Sequence, residues 1–511
     1  MTSPTRRGFL AGLTAAVAPG LVLAASPVPV PRPVRGVAGS LVPVAPSAPA
    51  LIRATSYDLA GAGQALINGS HLTGRFAYAV ADAATGEILD ARNGEEPMAP
   101  ASTAKAITTG YALEHLGPAY RFRTRLLASG PLRQGRLEGD LILAGGGDPT
   151  LTSDDLGALL DQLAGLGVAA IAGRFLVWDG ALPHVAEIDP GQPDHLDYNP
   201  AVSGLNLNFN RVHFQWEKKG ADYAISLDAR ASRAAPKVKM VSMSTANRSV
   251  PIYTLDLEDD PGHEVWTVAR PALGAAGSRW LPVRDTARYA AEVMRTMAAT
   301  RKAPLVLPEP VFIQTLPADA VPVAMHPSAE LAGIARDMLK YSTNLTAEIL
   351  GLTATVARTG RRPADLAASA TEMSRWGARF GMTETALVDH SGLGPASRVT
   401  ARDMTRLLSH IGVEGPLRPL MKTYGLTDKS GKAEPFVIDA KTGTLNFVSC
   451  LVGYILRNKA RPLVFAVLTA EPERRAQIRP GDEEKPAGSS AWTGRSRQLQ
   501  LDLCRLWGHH A

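Results

Sequence analysis

The spacing of apolar positions along this chain changes period several times. Residues 75–81 and 87–91 are two short strand-like runs either side of a turn at 82–86, which predicts a β-hairpin. A run with helical character opens at Ser102 and stops at Gly117-Pro118, a residue free to turn left-handed followed by one that cannot continue a helix. Strand-like runs with turns at Gly130-Pro131 and Gly135 lead to Gly145-Gly146-Gly147-Asp148-Pro149. Leu156, Leu159, Leu160, Leu163 and Leu166 then share one side of a helix over 153–167. Between 206 and 269 the period falls to two in "LNLNFNRVHFQW", "YAISLDA", "KVKMVSMST" and "EVWTVAR", which predicts a small β-rich subdomain.

Helical spacing returns over 285–300 at Tyr289, Val293 and Met297, and 305–313 reads as a connection. Leu331, Ile334, Ala335 and Met338 stripe one helix, Ala347, Leu350 and Val356 a second, with a break at 341–345. A further helix is expected over 363–380. "VIDAKTGTLNFVSCLVGYILRNKARPLVFAVLTA" reads as three antiparallel strands, and Leu499, Leu503 and Leu506 line a terminal helix over 490–507. A hairpin early, three strands late and a covering helix imply one sheet built from both ends of the chain, with the remainder inserted or packed beside it. The expected class is α/β (α+β), an antiparallel sheet flanked by helices with a large β-rich insertion.

The N-terminus follows other rules. Arg6-Arg7 precede Gly8-Phe9-Leu10 and an apolar run to about Ala25, the make-up of a secretory signal, and the order resembles a twin-arginine export signal. Residues 26–50, mostly Pro, Val, Ala and Ser, read as a tether. Export to the periplasm of a bacterium is therefore expected, with peripheral contact to membrane or cell wall left open.

Composition alters this picture little. With 45% hydrophobic and 20% charged residues, the 511-residue chain has a globular balance. A net charge of +6 with no basic block argues against a nucleic-acid protein. Cys450 and Cys504 form no metal pattern and leave two readings open, one disulfide or two separate buried thiols. The glycine run at 145–147 lacks the Lys-Ser/Thr ending of a phosphate loop and reads as a tight turn.

The candidate chemistry starts at Ser102-Thr103-Ala104-Lys105. Positions i and i+3 share a helix face, so the Lys105 amine can reach the Ser102 hydroxyl in a first turn whose free N–H groups favour an alkoxide. A nucleophile beside a base suits covalent acyl transfer, provided Lys105 is neutral. Ser342-Thr343-Asn344 lies at the break between two helices, and Lys441-Thr442-Gly443 on the first strand of the C-terminal unit. In order, S-x-x-K, S-x-N and K-T-G are the signature of penicillin-binding proteins and serine β-lactamases. The 240 residues between Ser102 and Ser342 exceed a compact β-lactamase domain.

With "MAPASTAKAITTGYAL", "GDLILAGGGDPTL", "NPAVSGLNLNFN", "LAGIARDMLKYSTNLTAEIL", "DHSGLGPASRVTARDM" and "AKTGTLNFVSCLVGY", the chain resembles the class C low-molecular-mass penicillin-binding proteins, the D-alanyl-D-alanine carboxypeptidase/endopeptidase family. The resemblance implies a catalytic domain at 51–124 and 325–511, an inserted domain II at 125–205 and 270–324, and a β-rich domain III at 206–269. It implies that Ser102 attacks the bond between two D-alanines of a peptidoglycan stem peptide and that Lys105 is the base. Ser342 would relay a proton to the leaving amine, Asn344 would bind the substrate amide, and Lys441 would supply positive potential. Thr442 and Thr444 would hold the terminal carboxylate, with the backbone N–H groups of Ser102 and Thr444 as the oxyanion hole. β-Lactams would be covalent inhibitors, and no metal or organic cofactor is required.

The sequence departs from that pattern at Thr343, where aspartate is common, and at His390, where glycine is usual; His390 reads as a loop histidine. Segment 195–199 does not carry over the family's residues for the third stem residue, although Asp194 or Asp197 offers charge for an ammonium. Two other readings compete: a β-lactamase-like or esterase serine acyl hydrolase, and a non-catalytic cell-wall binding protein.

Overall fold

The computed structural model describes residues 57–257, 262–428, 430–458, 460–479 and 481–511. The expected export signal and tether lie outside the described residues. The central element is a six-stranded antiparallel sheet, in the order Lys422–Thr427, Ala433–Leu445, Val448–Arg457, Leu463–Ala470, Arg75–Asp82 and Ile88–Arg92. The two ends of the chain do meet in it. Arg75–Asp82 pairs along its whole length with Leu463–Ala470, Phe76 opposite Thr469 and Val80 opposite Phe465.

Two-residue alternation decides what each face of this sheet buries. Val80, Ile438, Ile455, Phe465 and Val467 pack with Trp492, Leu499, Leu503 and Trp507 of the terminal helix Ser489–His510. Ala79, Val452, Tyr454, Val464 and Ala466 face the other way, onto Ile107, Tyr111, Leu350, Met404 and Leu408. The helix Ala104–Leu116 runs through this second layer, and every residue from Ala104 to Leu113 is buried. A helix enclosed on all sides needs apolar or small residues all round, so Lys105, Thr108 and Thr109 within it call for partners. Around it pack the helices Leu331–Tyr341, Asn344–Thr359 and Leu366–Ala378.

The segment between the first two motifs builds further sheets around a hydrophobic core of its own. A five-stranded sheet runs in the order Pro310–Phe312, Phe175–Trp178, Leu141–Ala144, Arg123–Ala128 and Val321–Pro327, beside the helices Ser153–Gly165 and Thr286–Ala299. Two three-stranded sheets hold the alternating region. Their strands extend further than the period-two pattern suggested, because Ala276–Pro282 pairs with Arg211–Lys219.

Several elements differ from expectation. The Ser102 turn is a short 3-10 helix, Ala101–Thr103, before the α-helix begins. Leu166 ends outside its helix and is exposed, because the chain leaves the apolar face there. The connection at 305–313 contains the edge strand Pro310–Phe312. The helix Ala401–Ile411 was not foreseen although Met404, Leu407 and Leu408 recur at helical spacing on its buried face, and the mostly exposed edge strand Lys422–Thr427, which has few apolar residues, was not foreseen either. Cys450 and Cys504 are free, buried thiols, the second of the two readings the sequence left open. Cys450 lies on the face of the sheet that packs on Ala104–Leu116 and Cys504 on the terminal helix itself, in different cores.

Candidate active site

Ser102 sits on its 3-10 turn beneath strand Ala433–Leu445, and two glycines let the neighbouring segments close on it. A Cβ on Gly443 would fall 2.7 Å from the Pro100 carbonyl oxygen and 3.1 Å from the Ser102 nitrogen. A Cβ on Gly392 would fall 1.9 Å from the Ala101 carbonyl oxygen. Any side chain at either position would push its segment off the nucleophile turn. This is the physical reason for the glycine of K-T-G.

Ser342 has φ 62° and ψ 34°, a left-handed conformation unusual for a residue with a side chain, and it ends the helix Leu331–Tyr341. The chain then turns directly into helix Asn344–Thr359. That break places Ser342 and Asn344 toward Ser102 from the opposite wall of the cleft.

The motif side chains form two hydrogen-bonded groups, Ser102–Lys105–Asn344 and Ser342–Lys441. Lys105 Nζ lies 2.9 Å from Ser102 Oγ, 2.7 Å from Asn344 Oδ1 and 2.9 Å from the Ser391 carbonyl oxygen. Lys441 Nζ lies 3.0 Å from Ser342 Oγ and donates to the Thr442 carbonyl at 2.8 Å. Asn344 Nδ2 donates to the Tyr198 carbonyl at 2.8 Å, which fixes the orientation of its amide. Two of the three Lys105 partners, Asn344 Oδ1 and Ser391 O, can only accept. A neutral amine therefore spends both hydrogens on them and turns its lone pair to the Ser102 hydroxyl.

Electrostatics favours that neutral form. Lys105 is fully buried, and burial, reinforced by the Lys441 charge, pulls its pKa down from 10.5 to about 7; Glu348 and Asp389 act in the opposite sense. Burial likewise lowers Lys441 to about 8.

The cleft in front of Ser102 has a volume of about 900 Å³ and is bounded by Asn344, Thr444, Asp197, Arg475, Glu484 and Arg497, among others. Arg497, on the terminal helix, donates to Thr444 Oγ1 at 3.3 Å. Asp197 reaches the cleft but is paired with Arg211 at 2.8 Å, whereas Asp194 lies 3.9 Å from Arg284. Thr343 turns away from Ser102 to donate to Thr346 Oγ1 at 2.9 Å.

Sequence reasoning named Ser102, Lys105, Ser342, Asn344, Lys441, Thr442 and Thr444; Ser102, Ser342, Asn344 and Thr444 line the cleft, Lys105 is buried behind Ser102 and Lys441 is bonded to Ser342, whereas the Thr442 side chain is bonded to Tyr424 and is not part of the cleft wall. It missed the Ser391 carbonyl, the Tyr198 carbonyl and Arg497. The first two act through backbone, which no side-chain pattern reports. Arg497 is one of many surface arginines until the helix is docked. His390 does lie in a loop, but it is fully buried there, 2.8 Å from Glu348.

A serine hydroxyl facing a buried lysine, with a second Ser-Lys pair across the cleft, defines a serine hydrolase of the penicillin-recognising fold. The chain belongs to the D-Ala-D-Ala carboxypeptidase 3 (S13) family, whose model matches residues 64–484. It is 28% identical over 405 residues to a D-alanyl-D-alanine carboxypeptidase of Actinomadura sp. (strain R39), covering 74% of each chain. It is 27% identical over 475 residues to carboxypeptidase Rv3627c of Mycobacterium tuberculosis, covering 87% of this chain and 86% of that one. Its fold matches the crystal structure of penicillin binding protein 4 (dacB) from Haemophilus influenzae with a TM-score of 0.69 at 22% identity, over 86% of this chain and 99% of that one.

Proposed function

We propose that this enzyme hydrolyses the D-Ala-D-Ala terminus of peptidoglycan stem peptides, or the equivalent cross-link, through an acyl-enzyme on Ser102. One observation carries the reading: Lys105 is held by two obligate acceptors so that its lone pair meets the Ser102 hydroxyl. Ser102 Oγ attacks the carbonyl carbon of the penultimate residue while its proton passes to Lys105. The N–H groups of Ser102 and Thr444 receive the oxyanion. As the C–N bond breaks, the leaving amine takes a proton through Ser342, which Lys441 holds in place. Water then attacks the ester and returns Ser102 to its hydroxyl form, releasing the shortened peptide as its acid.

Thr444 receives the carboxylate of the leaving residue, with Arg497 adding positive charge beside it. Asn344 contributes through Lys105, because both ends of its amide are already engaged; binding a substrate amide exchanges the Tyr198 contact for the substrate. A β-lactam, a cyclic analogue of the same dipeptide, acylates the same serine. Arg6-Arg7 and the apolar run behind them support export to the periplasm, where the substrate lies.

The test is incubation with purified muropeptides, wild type against Ser102→Ala. Released D-alanine reports carboxypeptidase action and monomerised dimers report endopeptidase action. Turnover that survives in Ser102→Ala defeats the proposal. Fractionation of cells expressing the full chain tests export.

A further inference from the structure

Behind the motif residues, and touching no substrate, lies a buried pair that the mechanism above does not use. Glu348, on the second-motif helix, is fully buried, as is His390. Glu348 Oε2 lies 2.8 Å from His390 Nδ1 and accepts the His390 backbone N–H at 3.0 Å, while Oε1 accepts the Ser391 N–H at 2.9 Å. The His390 carbonyl is taken by Thr108 Oγ1 at 2.6 Å, and the Ser391 carbonyl by Lys105 Nζ at 2.9 Å. Every backbone polar atom of His390-Ser391 is therefore engaged, two of them by one carboxylate. The other imidazole nitrogen lies 3.0 Å from Ser369 Oγ, which donates to Thr355 Oγ1 at 2.8 Å. Gly351 makes room for the ring: a Cβ there would sit 1.9 Å from His390 Cδ2.

We propose that Glu348 and His390 are positioning residues for Lys105, clamping the His390-Ser391 peptide so that the Ser391 carbonyl holds one hydrogen of the amine and its lone pair stays on Ser102. The inference rests on Ser102 being the acylated nucleophile. A pure packing role would be served by apolar groups, since a carboxylate and an imidazole are costly to bury. Here each of their hydrogen-bonding atoms is spent on the loop beneath the base or on anchoring the pair.

The pair also bears on the charge of Lys105. The groups facing that amine are Lys441 on the sheet, Glu348 on the helix, and Asp389 with His390 on the loop. Glu348 and Asp389 favour its ammonium form, against Lys441 and burial. Burial alone would raise the Glu348 carboxyl; the His390 hydrogen bond and charge, with the Ser391 hydroxyl, outweigh it and hold that carboxyl below its ordinary value. Asp389 goes the other way, raised to about 6 by burial and by the Glu348 charge.

The experiment measures acylation of the purified chain by a fluorescent penicillin from pH 5 to 10, normalised to the acylable fraction, for wild type and Glu348→Gln. A glutamine amide cannot accept both backbone N–H groups and carries no charge. The rate per site at the plateau is expected to fall at least tenfold, and the midpoint of the acid limb to move to lower pH. A midpoint that stays put overturns the proposal, whatever happens to yield. Should Glu348→Gln yield no folded protein, 15N-histidine-labelled wild type decides. The ring signals of His390, identified by their loss in His390→Asn, are expected to move when benzylpenicillin acylates Ser102, while those of His326, on strand Val321–Pro327, stay. Unmoved His390 signals overturn the proposal. Absence of wild-type acylation overturns this inference and the functional reading together; a normal wild-type profile with an unmoved variant midpoint overturns the positioning pair alone.

Discussion

Lys441 Nζ stands 3.0 Å from Ser342 Oγ, and its charge is felt by Lys105 across the cleft, so each lysine holds one serine and one lysine depresses the other. Like charges in a buried site favour the neutral form of the more enclosed group. The two Ser-Lys pairs are thus one electrostatic unit, although they come from three separate stretches of chain.

The pH dependence of acylation follows from this. Lys105 acts as a base only when neutral, and its pKa is drawn down from 10.5 to about 7. The rate constant for penicillin acylation is expected to rise about tenfold per pH unit below pH 7 and to level above it. Lys441→Met removes the neighbouring charge, so the Lys105 pKa rises and the acid limb moves to higher pH. Stopped-flow acylation profiles of the two proteins check the sign; a limb that moves to lower pH refutes the coupling.

Loss of either serine or of the base has separable consequences. Lys105→Met is expected to slow acylation by roughly 10²–10⁴-fold, the usual worth of a positioned general base, without loss of fold. Ser342→Ala leaves the nucleophile and base in place and is expected to affect turnover of peptides more than acylation by a β-lactam, whose strained ring opens with less help to the leaving amine. Comparing kcat/KM on a D-Ala-D-Ala peptide with the penicillin rate in each variant tests both statements.

Arg497 donates to Thr444 in the cleft wall, where the proposed mechanism docks a terminal carboxylate. Arg497→Ala is expected to raise KM for a peptide acid by roughly tenfold, the scale of one charge-assisted hydrogen bond, and to leave the corresponding peptide amide unaffected. Equal losses on acid and amide would remove Arg497 from carboxylate recognition.

Gly443→Ala tests the closeness of strand and nucleophile turn. The new Cβ would meet the Pro100 carbonyl at 2.7 Å and the Thr103 nitrogen at 3.0 Å, all backbone, so the strand must move. A stability loss of about 1–3 kcal/mol is expected, with a larger fall in acylation because the Thr444 N–H moves too. Denaturant unfolding and penicillin titration measure the two effects.

The two cysteines give a test of the core. Burial raises Cys450 to about 12 and Cys504 further, and neither is bonded to the other. A thiol reagent is expected to label neither in the native protein and both after unfolding without reductant. Labelling of neither under denaturing, non-reducing conditions would mean a disulfide.

Much of this was legible in the sequence because its signals are local. Short apolar runs bounded by turns pointed to strands at 75–81 and within "RPLVFAVLTA", the i, i+3 spacing brought Ser102 and Lys105 together, and the break at 341–345 put the second motif between two helices. Where local pattern misled, a neighbour had overridden it. Leu166 continues an apolar stripe past the point where the helix leaves the core. Ala276–Pro282 was assigned elsewhere until pairing with Arg211–Lys219 showed its place. His390 is the loop residue the sequence suggested, but only the fold shows it buried against Gly351 and Glu348.

The sequence by itself determined which side chains could do the chemistry and in what order they occur, because residue type and short-range spacing are written in the chain. Only the tertiary structure decided that the Lys105 pKa falls from 10.5 to about 7, that its amine lies against Ser102, and that the Ser391 carbonyl is there to receive its hydrogen. Burial, the field of a lysine 336 positions away and the direction of a backbone carbonyl are properties of the assembled molecule, set by contacts between segments that sequence neighbours do not record.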